Sequence, residues 1–172
     1  MLDLRGEYVL FREEIRAAVD CVLESQQFIG GPAIAELEGA IRARYRVDHA
    51  IAVSSGTDAL LCALMALGIG RDDEVIVPSF TFFATAGTVA RLGAKPVFVD
   101  IDPRTFNLDP VQVEQAVTSK TRAIMAVHLF GQCADMDAIN AVAASHRLKV
   151  IEDAAQAIGA TYHERFAGKL GD

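Results

Sequence analysis

Apolar residues in this chain recur first at helical spacing and later in short unbroken runs, and that change of period predicts two kinds of structure. From Leu10 to Leu23 the residues Ile15, Val19 and Val22 share one stripe of a helix. The stretch Ala35 to Tyr45 repeats the period through Leu37, Ala40 and Ile41, and Phe28-Ile29-Gly30-Gly31-Pro32 breaks it between them. His49 to Val53 then reads as a short strand. Beyond it, helix and strand alternate: helix from Thr57 to Leu67, strand from Glu74 to Val77, helix near Phe82 to Leu92, strand from Pro96 to Asp100. Asn107-Leu108-Asp109-Pro110 opens another helix, with proline in the first turn where its missing N–H is not needed. Arg122 to Val127 predicts strand, Met136 to His146 helix and Leu148 to Ile151 strand, while the pattern after Gly159 assigns no element.

Runs such as Val75-Ile76-Val77 and Ala123-Ile124-Met125-Ala126-Val127 are apolar on both faces, so each strand needs cover on both sides. The expected fold is therefore α/β, a mostly parallel sheet sandwiched by helices. Ligands of such sheets bind beyond the carboxyl ends of the strands.

Composition narrows the partners. The length of 172 residues suits one domain, and a hydrophobic fraction of 52% leaves apolar surface to be met by further chain or a partner. A formal net charge of -7 argues against a protein that tracks a nucleic-acid backbone. Arg42, Arg44 and Arg46 read as a solvated helix end, where cations meet the negative pole of the helix. Cys21, Cys62 and Cys133 have no close pairing, and Met1 to Glu7 lacks the apolar core of a signal peptide, so the cytoplasm is expected. The apolar stretches Ala59 to Leu67 and Ala123 to Phe130 fall well short of the ~20 residues of a membrane helix.

Three segments fall at the expected carboxyl edge and carry chemistry. In Ser54-Ser55-Gly56-Thr57-Asp58, a glycine at a helix N-terminus lets an anion approach unpaired N–H groups; the plainer reading is that Ser55 and Asp58 form a capping box. In Pro78-Ser79-Phe80-Thr81-Phe82-Phe83, Phe82 can stack on a flat conjugated ring, or simply belong to the core. In Glu152-Asp153-Ala154-Ala155-Gln156, Asp153 follows an apolar strand, where a carboxylate needs a positive partner such as a pyridinium nitrogen. Gln156 can then donate to a ring oxygen, although Asp153 and Gln156 also have capping-box spacing. Together the three segments suggest pyridoxal phosphate.

Competing chemistries find less support. Gly68-Ile69-Gly70 fails as a dinucleotide loop, because Asp73 stands in the third glycine's place and a strand follows. There is no Gly-x-Ser-x-Gly or His-Glu-x-x-His, and His49, His128, His146 and His163 are too scattered to suggest a metal site. His128 and Phe130 lie just past a strand's carboxyl end and suit either the site or the core.

In chain order, the Phe28 to Pro32 segment, Ser55-Gly56-Thr57-Asp58-Ala59-Leu60, Asp73 to Phe82, Val97-Phe98-Val99-Asp100-Ile101-Asp102, His128-Leu129-Phe130-Gly131 and Glu152 to Gln156 resemble one family. It is the nucleotide-sugar aminotransferase family of the DegT/DnrJ/StrS type, within the fold-type I pyridoxal-phosphate enzymes. The resemblance implies that Gly56 and Thr57 bind the cofactor phosphate, Phe82 stacks on the ring, Asp153 pairs with the pyridinium nitrogen and Gln156 contacts the ring hydroxyl. It implies an incomplete large domain, with N-terminal helices over 1–47 and an α/β core over 48–172, and with the C-terminal small domain absent. The activity implied is transfer of an amino group from an amino acid, with glutamate the usual donor, to a nucleotide-linked keto-sugar in amino-sugar, polysaccharide or glycoside biosynthesis. A homodimer is implied as well.

In that family the Schiff-base lysine follows a Gly-Asp-x-Gly-x-Phe-Ser-Phe segment, and this sequence carries its first two residues, Gly171-Asp172. Lys95 and Lys120 are expected at the opposite sheet edge, Lys149 within a strand and Lys169 in solvent, so no residue of this stretch is assigned the catalytic role. The 172-residue chain is expected to bind the cofactor weakly without turnover. Two further readings accompany this one: a pyridoxamine-phosphate-dependent sugar dehydratase, with histidine in place of the lysine, and a non-catalytic fragment or partner module.

Overall fold

The computed structural model describes residues 3–172, in two units that meet in sequence between Ala52 and Val53. The first unit holds α1 (Leu4–Ser25) and α2 (Pro32–Tyr45). α1 starts a turn and a half before the apolar stripe because Asp3 caps it, accepting a hydrogen bond from the Gly6 amide at 2.9 Å. α2 has Pro32 in its first turn and Arg42 and Arg44 in its last, the placement that the helix dipole favours. The run His49 to Val53 is not a strand: among the described residues no neighbour pairs with it, and Ile51 is 81% exposed. An apolar β-prone run becomes a strand only where a ladder satisfies its backbone.

The second unit runs α3 (Gly56–Ala66), β1 (Glu74–Pro78), α4 (Ala84–Arg91), β2 (Lys95–Val99), α5 (Pro110–Ala116), β3 (Thr121–Val127), α6 (Met136–His146) and β4 (Lys149–Asp153). A small hairpin, β5 (Thr161–Tyr162) and β6 (Arg165–Phe166), follows. The four longer strands form one sheet in the order β2-β1-β3-β4, and every pairing is parallel, as expected.

Side-chain alternation sorts the apolar strands onto two faces. Val75, Val77, Ala123, Met125 and Ile151 pack with Leu60 and Leu64 of α3 and Val89 of α4. Ile76, Ile124, Ala126 and Val150 pack on the other face with Val113 of α5 and Met136 and Ile139 of α6. The two cores explain why these strands lack a polar face.

Two local differences from the sequence reading have clear causes. No helix follows β4; Asp153 leads into tight turns, with the Ala157 amide bonded to the Ala154 carbonyl at 2.8 Å. The β5-β6 hairpin turns on His163 and Glu164, both left-handed (φ 47 and 65), which is the two-residue hairpin geometry without the Asn-Gly that would announce it.

Ile124 lies at the middle of β3 and is fully buried. Replacing it with alanine should cost about 2–5 kcal/mol, read as a lower urea midpoint at unchanged slope.

Candidate functional site

The chain runs from β1 to β2 on one side and then crosses to β3 on the other, so the boundary between β1 and β3 is the point where a crevice opens beyond the strand ends. A cavity of about 290 Å³ lies there, walled by Val127 and Asp153 at the last positions of β3 and β4. The structure brings Gly56, Thr57, Phe82, Asp153 and Gln156 into this one cavity, together with Thr81 and Leu129, which the sequence reading did not single out.

The first wall is the start of α3. Ser55 caps it, its hydroxyl oxygen accepting from the Asp58 amide at 3.1 Å, so the capping reading holds. The hydroxyls of Ser54 and Ser55 both donate to the Asp58 carboxylate, and these bonds, that of Ser54 foremost, hold its pKa below the usual carboxylate range. Capping and anion binding are compatible, because the cap uses the Asp58 amide while those of Gly56 and Thr57 precede any intrahelical partner. A Cβ built on Gly56 would meet nothing within 4 Å. Packing within the protein therefore does not demand glycine there, and Gly56 is among the residues that line the cavity.

The second wall follows β1. Phe82 is 73% exposed, which excludes the core reading and leaves an aromatic ring at the cavity's edge. Thr81 beside it shares a hydrogen bond of 3.2 Å with the buried Thr85 at the start of α4.

The third wall is the end of β4. Asp153 is half-buried, and its Oδ1 accepts from the Ala155 amide at 3.2 Å in a local turn, so the capping-box alternative with Gln156 is not realised. None of the residues lining the cavity is basic, which leaves its only carboxylate without a cation among them.

Behind this wall lies a network that sequence reasoning missed. His128 is fully buried; its Nδ1 accepts from the Ala134 amide at 3.1 Å, which requires Nε2 to carry the proton it donates to Glu152 at 2.9 Å. The Glu152 carboxylate also accepts from the amides of Gly168 at 2.8 Å, Leu170 at 2.5 Å and Gly171 at 2.6 Å. Burial pushes its pKa up, but His128 and the three amides outweigh it and hold the carboxyl below the ordinary glutamate value. Of the two readings of His128, the buried structural one holds. Phe130 instead is 72% exposed, its ring edge-on to Phe106 at 6.3 Å. The signal for Glu152 was present in the sequence as an acidic residue in an apolar strand, beside one already singled out.

None of the four lysines lines the cavity. Lys95 pairs with Glu74 at 3.0 Å where β2 and β1 begin, at the far edge of the sheet, and Lys149 pairs with Asp172 at 2.7 Å. Among the described residues no cluster of three or more histidine, cysteine or acidic side chains could hold a metal ion, and no helix is long and apolar enough to cross a membrane.

Residues 10–172 match the model of the DegT/DnrJ/EryC1/StrS aminotransferase family. The chain belongs to that family. It is 57% identical to a "Pleiotropic regulatory protein" of Geobacillus stearothermophilus over 99% of this chain and 46% of the relative. It is 52% identical to the UDP-2-acetamido-2-deoxy-3-oxo-D-glucuronate aminotransferase of Pseudomonas aeruginosa over 94% of this chain and 45% of that one. Streptomyces venezuelae DesV, solved in complex with a ketimine intermediate, superposes with a TM-score of 0.92 at 46% identity, over 96% of this chain and 45% of DesV. The chain thus spans about half the length of the curated relatives it matches. Its fold is that of the fold-type I aminotransferases, and members of the family depend on pyridoxal phosphate. The dehydratase and non-catalytic readings are not favoured.

Because the folded pKa of Glu152 is depressed, its stabilisation is fully present above the ordinary glutamate value of 4.5 and is lost as pH falls through the folded value. Urea unfolding carried from neutral pH into the acid range should show stability falling below that point, with a shallower fall in Glu152→Gln. Parallel acid limbs would remove Glu152 as a contributor.

Proposed function

We propose that this chain forms the cofactor-binding part of a pyridoxal-phosphate-dependent aminotransferase that moves an amino group from an amino acid, with glutamate the usual donor, to a nucleotide-linked keto-sugar. The observation that carries this reading is the meeting of Gly56, Thr57, Phe82, Asp153 and Gln156, far apart in sequence, in one cavity at the carboxyl edge of the sheet.

The lining fits the cofactor by the chemistry of its groups. The α3 N-terminus offers amides and a positive dipole end for a phosphate, and the bare Cα of Gly56 leaves room for it to come close. Asp153 supplies a negative charge with no basic residue beside it in the lining, which suits a protonated ring nitrogen. Phe82 offers an exposed aromatic face and Gln156 an amide donor for a ring hydroxyl. When bound, the cofactor would supply an electron sink for the carbanion formed at the substrate carbon. The residues of this chain bind and orient it, and Asp153 holds the proton on the ring nitrogen.

The nucleotide-sugar substrate is carried from the name of the Pseudomonas relative. In this reading residues 1–47 are helices leading into the α/β core, 48–172, of a large domain, and the whole protein works as a cytoplasmic homodimer. Glutamate is expected as donor by the same resemblance.

Titration of the 172-residue chain with pyridoxal phosphate, followed by cofactor fluorescence, should give saturable binding that pyridoxal without phosphate does not match. Asp153→Asn removes a charge-assisted hydrogen bond and should weaken binding about tenfold. Unsaturable binding, or equal affinity in the Asn variant, would sink the reading.

A further inference from the structure

Glu152 and Asp153 are neighbours on β4, so their side chains leave opposite faces of the sheet. Asp153 shares its face with Ile151, the face covered by α3, and lines the cavity. Glu152 shares its face with Val150, which packs with Leu170. Among the described residues, four donors hold the Glu152 carboxylate: the His128 ring and the amides of Gly168, Leu170 and Gly171. His128 grips the end of β4 twice, since its backbone amide also donates to the Asp153 carbonyl at 3.0 Å.

The stretch that Glu152 holds is itself laid along β4. The Asp172 amide donates to the Val150 carbonyl at 2.9 Å, the Asp172 carboxylate accepts from the Val150 amide at 2.9 Å, and Asn140 donates to the Leu170 carbonyl at 2.8 Å. The fit is close, because a Cβ on Gly171 would stand 2.7 Å from the Val150 carbonyl oxygen. A buried ionised carboxylate costs free energy that an apolar residue in its place would not. Here its hydrogen bonds tie His128 and the 168–171 backbone to the end of β4, on the face opposite the cavity.

We propose that Glu152 is a positioning residue for the cofactor ring: by clamping His128 and the 168–171 backbone to the end of β4, it keeps the Asp153 carboxylate aimed at the ring nitrogen. This rests on the reading that the cavity binds pyridoxal phosphate. Glutamine is a poor substitute, since its amide nitrogen, in place of either carboxylate oxygen, would face two donors: the Leu170 and Gly171 amides at one position, or the His128 ring and the Gly168 amide at the other.

The test compares pyridoxal phosphate with its analogue in which a C–H replaces the ring nitrogen, on wild type, Glu152→Gln, Asp153→Asn and the double variant. Hydrogen exchange of the unliganded chain is read in parallel. Glu152→Gln should lose protection at the Gly168, Leu170 and Gly171 amides while β1 and β3 keep theirs. It should weaken binding of pyridoxal phosphate about tenfold and leave the analogue unchanged. Asp153→Asn should show the same selectivity, and the double variant should lose little more than either single one. Equal weakening of both ligands by Glu152→Gln would mean a merely structural role and overturn the proposal, as would unchanged binding of both. Failure of wild type to bind either ligand would instead overturn the cofactor reading and this inference with it. Should Glu152→Gln not fold, Gly171→Ala displaces the same clamp from its other side and must show the same selective loss.

Discussion

The parallel pairing of β3 with β1 on one side and β4 on the other is the constraint from which the site follows. Parallel strands cannot be joined by tight turns, so each pair requires a crossover, and here α5 and α6 supply the two that lead into β3 and β4. The same pairing brings the carboxyl ends of all three strands to one edge. Residues that follow them, Thr81 and Phe82 after β1, Leu129 after β3 and Asp153 closing β4, are thereby gathered from stretches more than seventy positions apart. Because the strands are buried on both faces, this edge is set by a packed core, and the cavity inherits its rigidity.

At the end of β4 two carboxylates one residue apart have opposite situations, set by strand alternation alone. Glu152 is enclosed and fully engaged by donors from its own chain, so its charge is consumed internally. Asp153 keeps one local bond, to the Ala155 amide, and otherwise faces a cavity whose lining offers no cation. The identity of the residues does not separate their roles; the face does. A shift of β4 by one residue would exchange them, and the clamp opposite the cavity works against such a slip.

The sheet was legible in the sequence because its strands are continuous apolar runs bounded by helical periods, and the same property placed the three motifs at one edge. What escaped was whatever depends on a partner distant in sequence. His49 to Val53 has strand composition, but composition does not supply a neighbour, and none pairs with it among the described residues. The turn at His163-Glu164 uses left-handed backbone without glycine or asparagine, so no local residue betrays it. Phe82 and Asp153 each had a bland alternative that sequence left standing. Exposure removed it for Phe82, and the absence of a following helix removed it for Asp153. For Ser55 the bland reading holds, and it leaves the Gly56 and Thr57 amides, which follow the cap, without an intrahelical partner.

The cavity is also electrically polar along its length. One wall is the start of an eleven-residue helix, whose dipole and free amides favour negative charge, and another carries a lone carboxylate that favours positive charge. A ligand with an anion at one end and a protonated nitrogen at the other gains from both walls in only one orientation, since reversal would set anion against carboxylate. Orientation is thus decided by fixed charges before any close contact is made, and the aromatic ring of Phe82 and the amide of Gln156 need only refine it. Such discrimination depends on Asp153 staying where the strand ends, which is the role proposed for the hydrogen-bonded Glu152 on the reverse face of β4.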